Sequence, residues 1–225
     1  MRRPMSTAAA EPLVKPRLRG VLHQCAAVVA VGIAVVTVVI APHQRGMLAG
    51  LCFAASLFTL FTVSATYHRV HWKTPEARAW MRRADHASIF ILIAGTYTPV
   101  VLCGLPVELG NQMLAIVWAG ALIGVLQSLF WINAPKFVAA VLAVALGWSI
   151  TLHWTETRAA LSDLEMLMLF CGGVVYTIGA LVYAVKRPAL WPKTFGYHEL
   201  FHACTLVAAT MHAWVVYSVV MRSAG

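Results

Sequence analysis

Seven apolar stretches constrain this chain more than any other feature. They run over about Val21–Ala41, Gly46–His68, His86–Cys103, Asn111–Ile132, Lys136–His153, Asp163–Val185 and His198–Met221. Each is close to the roughly 20 residues that cross a bilayer as a helix. Within hydrocarbon every backbone N–H and C=O must be paired inside the chain, which leaves helices as the solution for such runs. The expected fold is therefore an all-α integral membrane protein, a seven-transmembrane helix bundle. Composition agrees: 60% of residues are hydrophobic and 11% charged, against roughly 25% charged in a soluble domain. Residues 21–225 read as a single membrane domain. Residues 1–20 are polar and contain Arg2, Arg3, Lys15, Arg17 and Arg19; they read as a disordered basic arm that ends in a membrane-facing collar. Val21–Ala41 is too long for the apolar part of a secretory signal, and no small-x-small cleavage site closes it, so it is taken as the first span.

The net charge of +9 does not indicate a nucleic-acid partner, because the basic residues flank apolar spans. One side of the membrane receives the five basic residues of the arm, then Arg69, Lys73, Arg78, Arg82, Arg83, Lys136, Lys186, Arg187 and Lys193; the other receives only Arg45, Arg158 and Arg222. The positive-inside rule then places the N-terminus in the cytoplasm and the C-terminus outside. The five cysteines all lie in apolar runs with no CxxC, so neither a disulfide framework nor a thiolate metal site is expected. Trp72, Trp80, Trp131, Trp154 and Trp191 fall near span ends, as an aromatic belt does.

Polar residues inside such spans are costly and point to function. In Tyr197-His198-Glu199-Leu200-Phe201-His202, two histidines four apart share one helix face, a spacing that suits two imidazoles on one Zn²⁺. Ser64 and His68 share a face near the end of span two, and Asp85 opens span three. By the charge count all five sit in one slab at the inner edge of the membrane. Three imidazoles and an open fourth position describe a catalytic type of zinc site, with a carboxylate beside it able to hold and deprotonate water. Taken singly, each has an ordinary reading. Ser64 can back-bond to its own helix, the histidines can sit at the interface with wet tips, and Asp85 can cap a helix. Their shared depth favours a site. His212 lies about 15 Å further along its helix than His202 and reads as a buried polar contact. His23 and His153 read as interfacial, His86 as packing or interfacial, and His71 as solvated.

Gly95 and Pro99 interrupt span three within Ile93-Ala94-Gly95-Thr96-Tyr97-Thr98-Pro99. They fit a packing notch, or a bend that opens a cavity above the site. His198-Glu199-Leu200-Phe201-His202 matches the HExxH pattern of metalloproteases, but no acidic residue follows Glu199 to serve as a further ligand; Glu199 is expected to face lipid headgroups or Lys193. The last span contains no lysine, which excludes Schiff-base retinal chemistry.

Four segments together resemble the hemolysin III family, the bacterial branch of the progestin and adipoQ receptor (PAQR) superfamily. They are Lys15-Pro16-Arg17-Leu18-Arg19-Gly20, Ser64-Ala65-Thr66-Tyr67-His68-Arg69, Asp85-His86-Ala87-Ser88-Ile89-Phe90 continuing through Pro99, and Phe195-Gly196-Tyr197 through His202. The resemblance implies a seven-helix protein of the bacterial inner membrane with an intramembrane Zn²⁺. Its metal ligands would be His68, His198 and His202; Asp85 would hold the water and Ser64 would support it. Relatives with this constellation are associated with hydrolysis of lipid amides, so the implied partners are membrane lipids and an acyl-amide substrate. The alternative is a non-enzymatic, receptor-like or pore-forming, cytolytic membrane protein in which zinc clasps spans two and seven.

Overall fold

The computed structural model describes residues 15–131, 133–188, 190, 191 and 193–222. Its helices are α1 (Val21–Ile40), α2 (Gln44–Arg69), α3 (Pro75–Gly104), α4 (Val107–Phe130), α5 (Lys136–Gly147), α6 (Trp154–Ala160), α7 (Asp163–Val185) and α8 (Tyr197–Arg222), with a 3-10 turn at Ser149–His153 between α5 and α6. Among the described residues, seven spans are long and apolar enough to cross a membrane, α5 through α6 forming one of them. The protein is a multi-pass integral membrane protein.

α3 is the centre of the bundle and packs on α2, α4 and α8; α1 lies against α2 and α8, and α7 against α8. One core joins Phe53, Leu57, Leu60, Leu92, Val100, Val215 and Val219. A second joins Phe90, Tyr97 and Val101 to Met113 and Val117. Close helix approach depends on small residues. A Cβ on Gly95 would collide with the side chain of Ser56, so the Gly95 segment is a packing notch between α2 and α3. α3 continues as a helix through Pro99. The hydroxyl of Thr98 donates to the carbonyl of Ala94 at 2.8 Å and accepts from the indole of Trp118 at 3.2 Å.

Helix ends follow their local sequence. Thr74 caps α3, accepting from the Ala77 N–H at 3.2 Å, with Pro75 at the first position. Asp85 therefore sits ten residues inside α3 and does not open or cap it, which corrects the expected start of that span. Ser162 and Glu165 form a reciprocal capping box on α7. Glu165 is buried; it also accepts from Ser218 at 2.8 Å and pairs with Arg222 at 3.1 Å, tying the start of α7 to the end of α8.

The fifth span extends to Ala160, beyond the expected end at His153, because its helix breaks in mid-course. Tyr97 of α3 satisfies the broken backbone. Its hydroxyl donates to the Gly147 carbonyl at 2.8 Å, accepts from the Ile150 N–H at 2.9 Å and lies 3.1 Å from the Ser149 hydroxyl. Tyr97→Phe keeps the ring and orphans these groups. It should destabilise the detergent-solubilised protein by about 1–2 kcal/mol, read as a lowered unfolding midpoint; an unchanged midpoint would show that the break pairs in another way.

The expected arm falls mostly on residues 1–14, which lie outside the described residues. Residues 15–20 form a turn docked across the bundle end. The Arg17 and Leu18 N–H groups donate to the Lys193 and Thr194 carbonyls at 3.1 and 3.2 Å. Gly20 adopts φ +81°, and a Cβ there would lie 2.8 Å from the Cβ of His68. Only glycine accepts both the left-handed backbone and that approach.

Candidate metal centre

α2 delivers Ser64 and His68, and α8 delivers His198 and His202, each pair one turn apart and therefore on one face. The packing of α8 beside α2 and α3 brings the pairs together. The Nε2 atoms of His68 and His198 are 3.0 Å apart. One nitrogen from each of His68, His198 and His202 lies within 4.8 Å of the others. Ring centroids are separated by 4.6 Å for His68–His198, 5.3 Å for His68–His202 and 4.6 Å for His198–His202.

This donor set fits a zinc ion. Bonds of 2.0–2.1 Å in tetrahedral geometry separate ligand atoms by about 3.3 Å. The closest pair is already near that spacing, and the third imidazole comes within range by a small side-chain movement. His68 and His202 are buried, so three imidazole nitrogens converge in a place where each would otherwise need a separate polar partner.

Asp85 approaches from α3. The hydroxyl of Ser64, buried on α2, lies near its carboxylate. The three histidines, Ser64 and Asp85 all line one cavity of about 590 Å³. From this basic end the cavity runs through the bundle to Trp148 at the break of span five and on to Thr157 and His212. Its walls are mostly apolar, including Leu60, Ile89, Met166 and Phe170, and α5 contributes the small residues Ala139, Ala140 and Ala143. His212 does not belong to the cluster; its Nε2 lies 3.1 Å from the Leu169 carbonyl.

Glu199, on the same helix as the histidine pair, does a different job. It is buried and accepts from the Gly196 N–H at 2.8 Å, closing the first turn of α8, while the Arg19 guanidinium pairs with its other oxygen. The expectation that Glu199 faces headgroups or Lys193 is corrected: its partner comes from the N-terminal turn. With both oxygens engaged there, Glu199 is unavailable as a base at the histidines. Lys15 donates to the carbonyl of His68, satisfying an open carbonyl at the end of α2. Partial burial, with Arg19, Arg69 and Arg78 nearby, lowers the pKa of Lys15 from its ordinary value.

His23 is likewise corrected from interfacial to buried. It projects from the first turn of α1, and its ring stacks on that of His202, with centroids 3.7 Å and planes 8° apart. Its one sequence signal is position, four residues beyond Arg19 and at the edge of the Lys15–Gly20 segment.

A family profile described as Haemolysin-III related matches residues 12–213. The chain is 31% identical over 155 residues to the Hemolysin-3 homolog of Bacillus subtilis (strain 168), covering 68% of each chain. It is 28% identical over 172 residues to Hemolysin-3 of Bacillus cereus, covering 76% of this chain and 75% of that one. It is 29% identical over 183 residues to the Heptahelical transmembrane protein ADIPOR2 of Oryza sativa subsp. japonica, covering 72% of this chain and 77% of that one.

Proposed function

The chain belongs to the hemolysin III family, within the PAQR superfamily, and we propose that it holds Zn²⁺ on His68, His198 and His202 and hydrolyses an amide bond in a membrane lipid. One observation carries this reading: three converging imidazoles and a carboxylate line one mostly apolar cavity. A clasp alone has no use for such a cavity.

When bound, the metal supplies Lewis acidity toward an amide carbonyl and lowers the pKa of water. The protein supplies the rest. The imidazoles act as in-plane lone-pair donors, and their positions are fixed by two rigid helices. Asp85 accepts the proton of the attacking water, and the Ser64 hydroxyl beside it is placed to support the carboxylate. The apolar walls take up the acyl chain, so the scissile bond is presented at the end where the polar headgroup lies. Twelve of the 15 Lys and Arg among the described residues fall at this end, which supports a cytoplasmic N-terminus, an outside C-terminus and a site at the inner leaflet. The bacterial relatives support the plasma membrane as its location.

The test is fatty-acid release from ceramide in nanodiscs by wild-type protein and by Asp85→Ala at matched zinc content. Wild type should release fatty acid, and the variant about a hundredfold more slowly. If wild-type protein with its full zinc complement releases none, the hydrolase reading fails and the metal is a clasp between α2 and α8.

A further inference from the structure

We propose that His23 is a ligand-binding residue of this site, donating a hydrogen bond from its imidazole to the oxygen of the acyl group held in the cavity. The proposal rests on the acyl-lipid reading above and adds a residue from a third part of the chain.

Three observations carry it. His23 is 3% exposed, and both of its ring nitrogens lack a hydrogen-bond partner among the described residues. A buried polar group without a partner destabilises the fold, and an apolar aromatic ring in its place would carry no such penalty. The ring also lines the cavity that contains His68, His198, His202 and Asp85. Finally, α1 is pinned over the histidines from three directions: Lys15 on the His68 carbonyl, Arg19 on Glu199, and Gly20 against the His68 side chain. Such anchoring holds His23 in place whether or not its nitrogens are paired.

The stack on His202 decides between metal ligand and hydrogen-bond donor. An imidazole offers its lone pair in the ring plane. The two planes are 8° from parallel with centroids 3.7 Å apart, so their in-plane lone pairs run side by side and do not converge on one point. The group with converging nitrogens contains His68, His198 and His202 and omits His23. An imidazole carries at least one N–H in either protonation state. His23 therefore carries a buried donor on a residue of the cavity wall, beside the metal-ligating set, and a carbonyl or carboxylate oxygen at the head of an acyl chain would reach it with a small turn of the ring. The chain itself fits the apolar length of the cavity.

The experiment uses the full-length, zinc-loaded protein in detergent, with laurate as the probe and three readouts: zinc per chain, unfolding temperature, and the rise in that temperature as laurate is titrated. His23→Phe keeps an aromatic ring for the stack, at a slightly larger volume, but removes both nitrogens; His23→Gln restores a donor. Wild type should be stabilised by laurate. His23→Phe should retain zinc and unfold at or above the wild-type temperature, while needing about tenfold more laurate for the same rise; His23→Gln should recover part of the loss. Loss of zinc in His23→Phe would make His23 a metal ligand and overturn the proposal. An unchanged laurate response in His23→Phe would overturn the role of His23 alone. A wild type indifferent to laurate would overturn it together with the acyl-lipid reading.

Discussion

Arg19→Ala should lower the stability of the folded protein by about 3 kcal/mol, whereas Glu199→Gln should cost far less. Removing one partner of a buried ion pair costs about 3–5 kcal/mol, because the remaining charge is left uncompensated. The low end applies here because Arg19 keeps 19% side-chain exposure while Glu199 keeps 1%. With Arg19 gone, the Glu199 carboxylate retains the Gly196 N–H as a hydrogen-bond partner. Glutamine at 199 keeps that bond through its carbonyl and leaves Arg19 at the membrane surface, where its guanidinium can be solvated. The double variant Arg19→Ala/Glu199→Gln should therefore recover most of what Arg19→Ala loses. Equilibrium unfolding in mixed micelles reads all three. Equal losses for the two single variants, or additive losses in the double, would show that the pair is not coupled in this way. Undocking of the turn should follow in Arg19→Ala, since Arg19 and Lys15 attach residues 15–20 to α8 and α2.

The second large effect is all-or-none. Replacing His68, His198 or His202 by alanine removes one of three converging nitrogens and should reduce bound zinc from about one per chain to near zero after dialysis against a weak chelator. Two imidazoles and solvent do not hold Zn²⁺ at the affinity of three. His212→Ala and His86→Ala serve as controls and should keep the metal, because neither belongs to the converging set. Helical content should persist in the triad variants, since the interfaces of α2 and α8 extend far beyond the site.

What the sequence makes legible is whatever depends on period and count. The spans emerge from hydropathy because each is a nearly unbroken apolar run. The meeting of His68 with His198 and His202 follows from four-residue spacing together with a charge count that puts the end of span two and the start of span seven at one rim. Three features stay hidden for physical reasons. The break of span five lies between apolar residues, Leu146-Gly147-Trp148, and depends on the Tyr97 hydroxyl, some 50 residues away. α3 begins at Pro75 because a polar helix continuing out of the membrane carries no hydropathy signal, although Thr74-Pro75 is a legible cap. Glu199 and His23 depend on contacts between the N-terminal turn and α8, nearly the whole chain apart. A span-by-span reading places both at the interface because both lie near span ends.

X-ray absorption at the zinc edge on wild-type protein purified without added metal probes the centre most directly. A zinc signal with three imidazole nitrogens at about 2.0–2.1 Å and one further light oxygen atom is the expected result. A spectrum with fewer than two imidazoles, or protein that purifies without zinc and fails to take it up, would contradict a metal centre built on His68, His198 and His202.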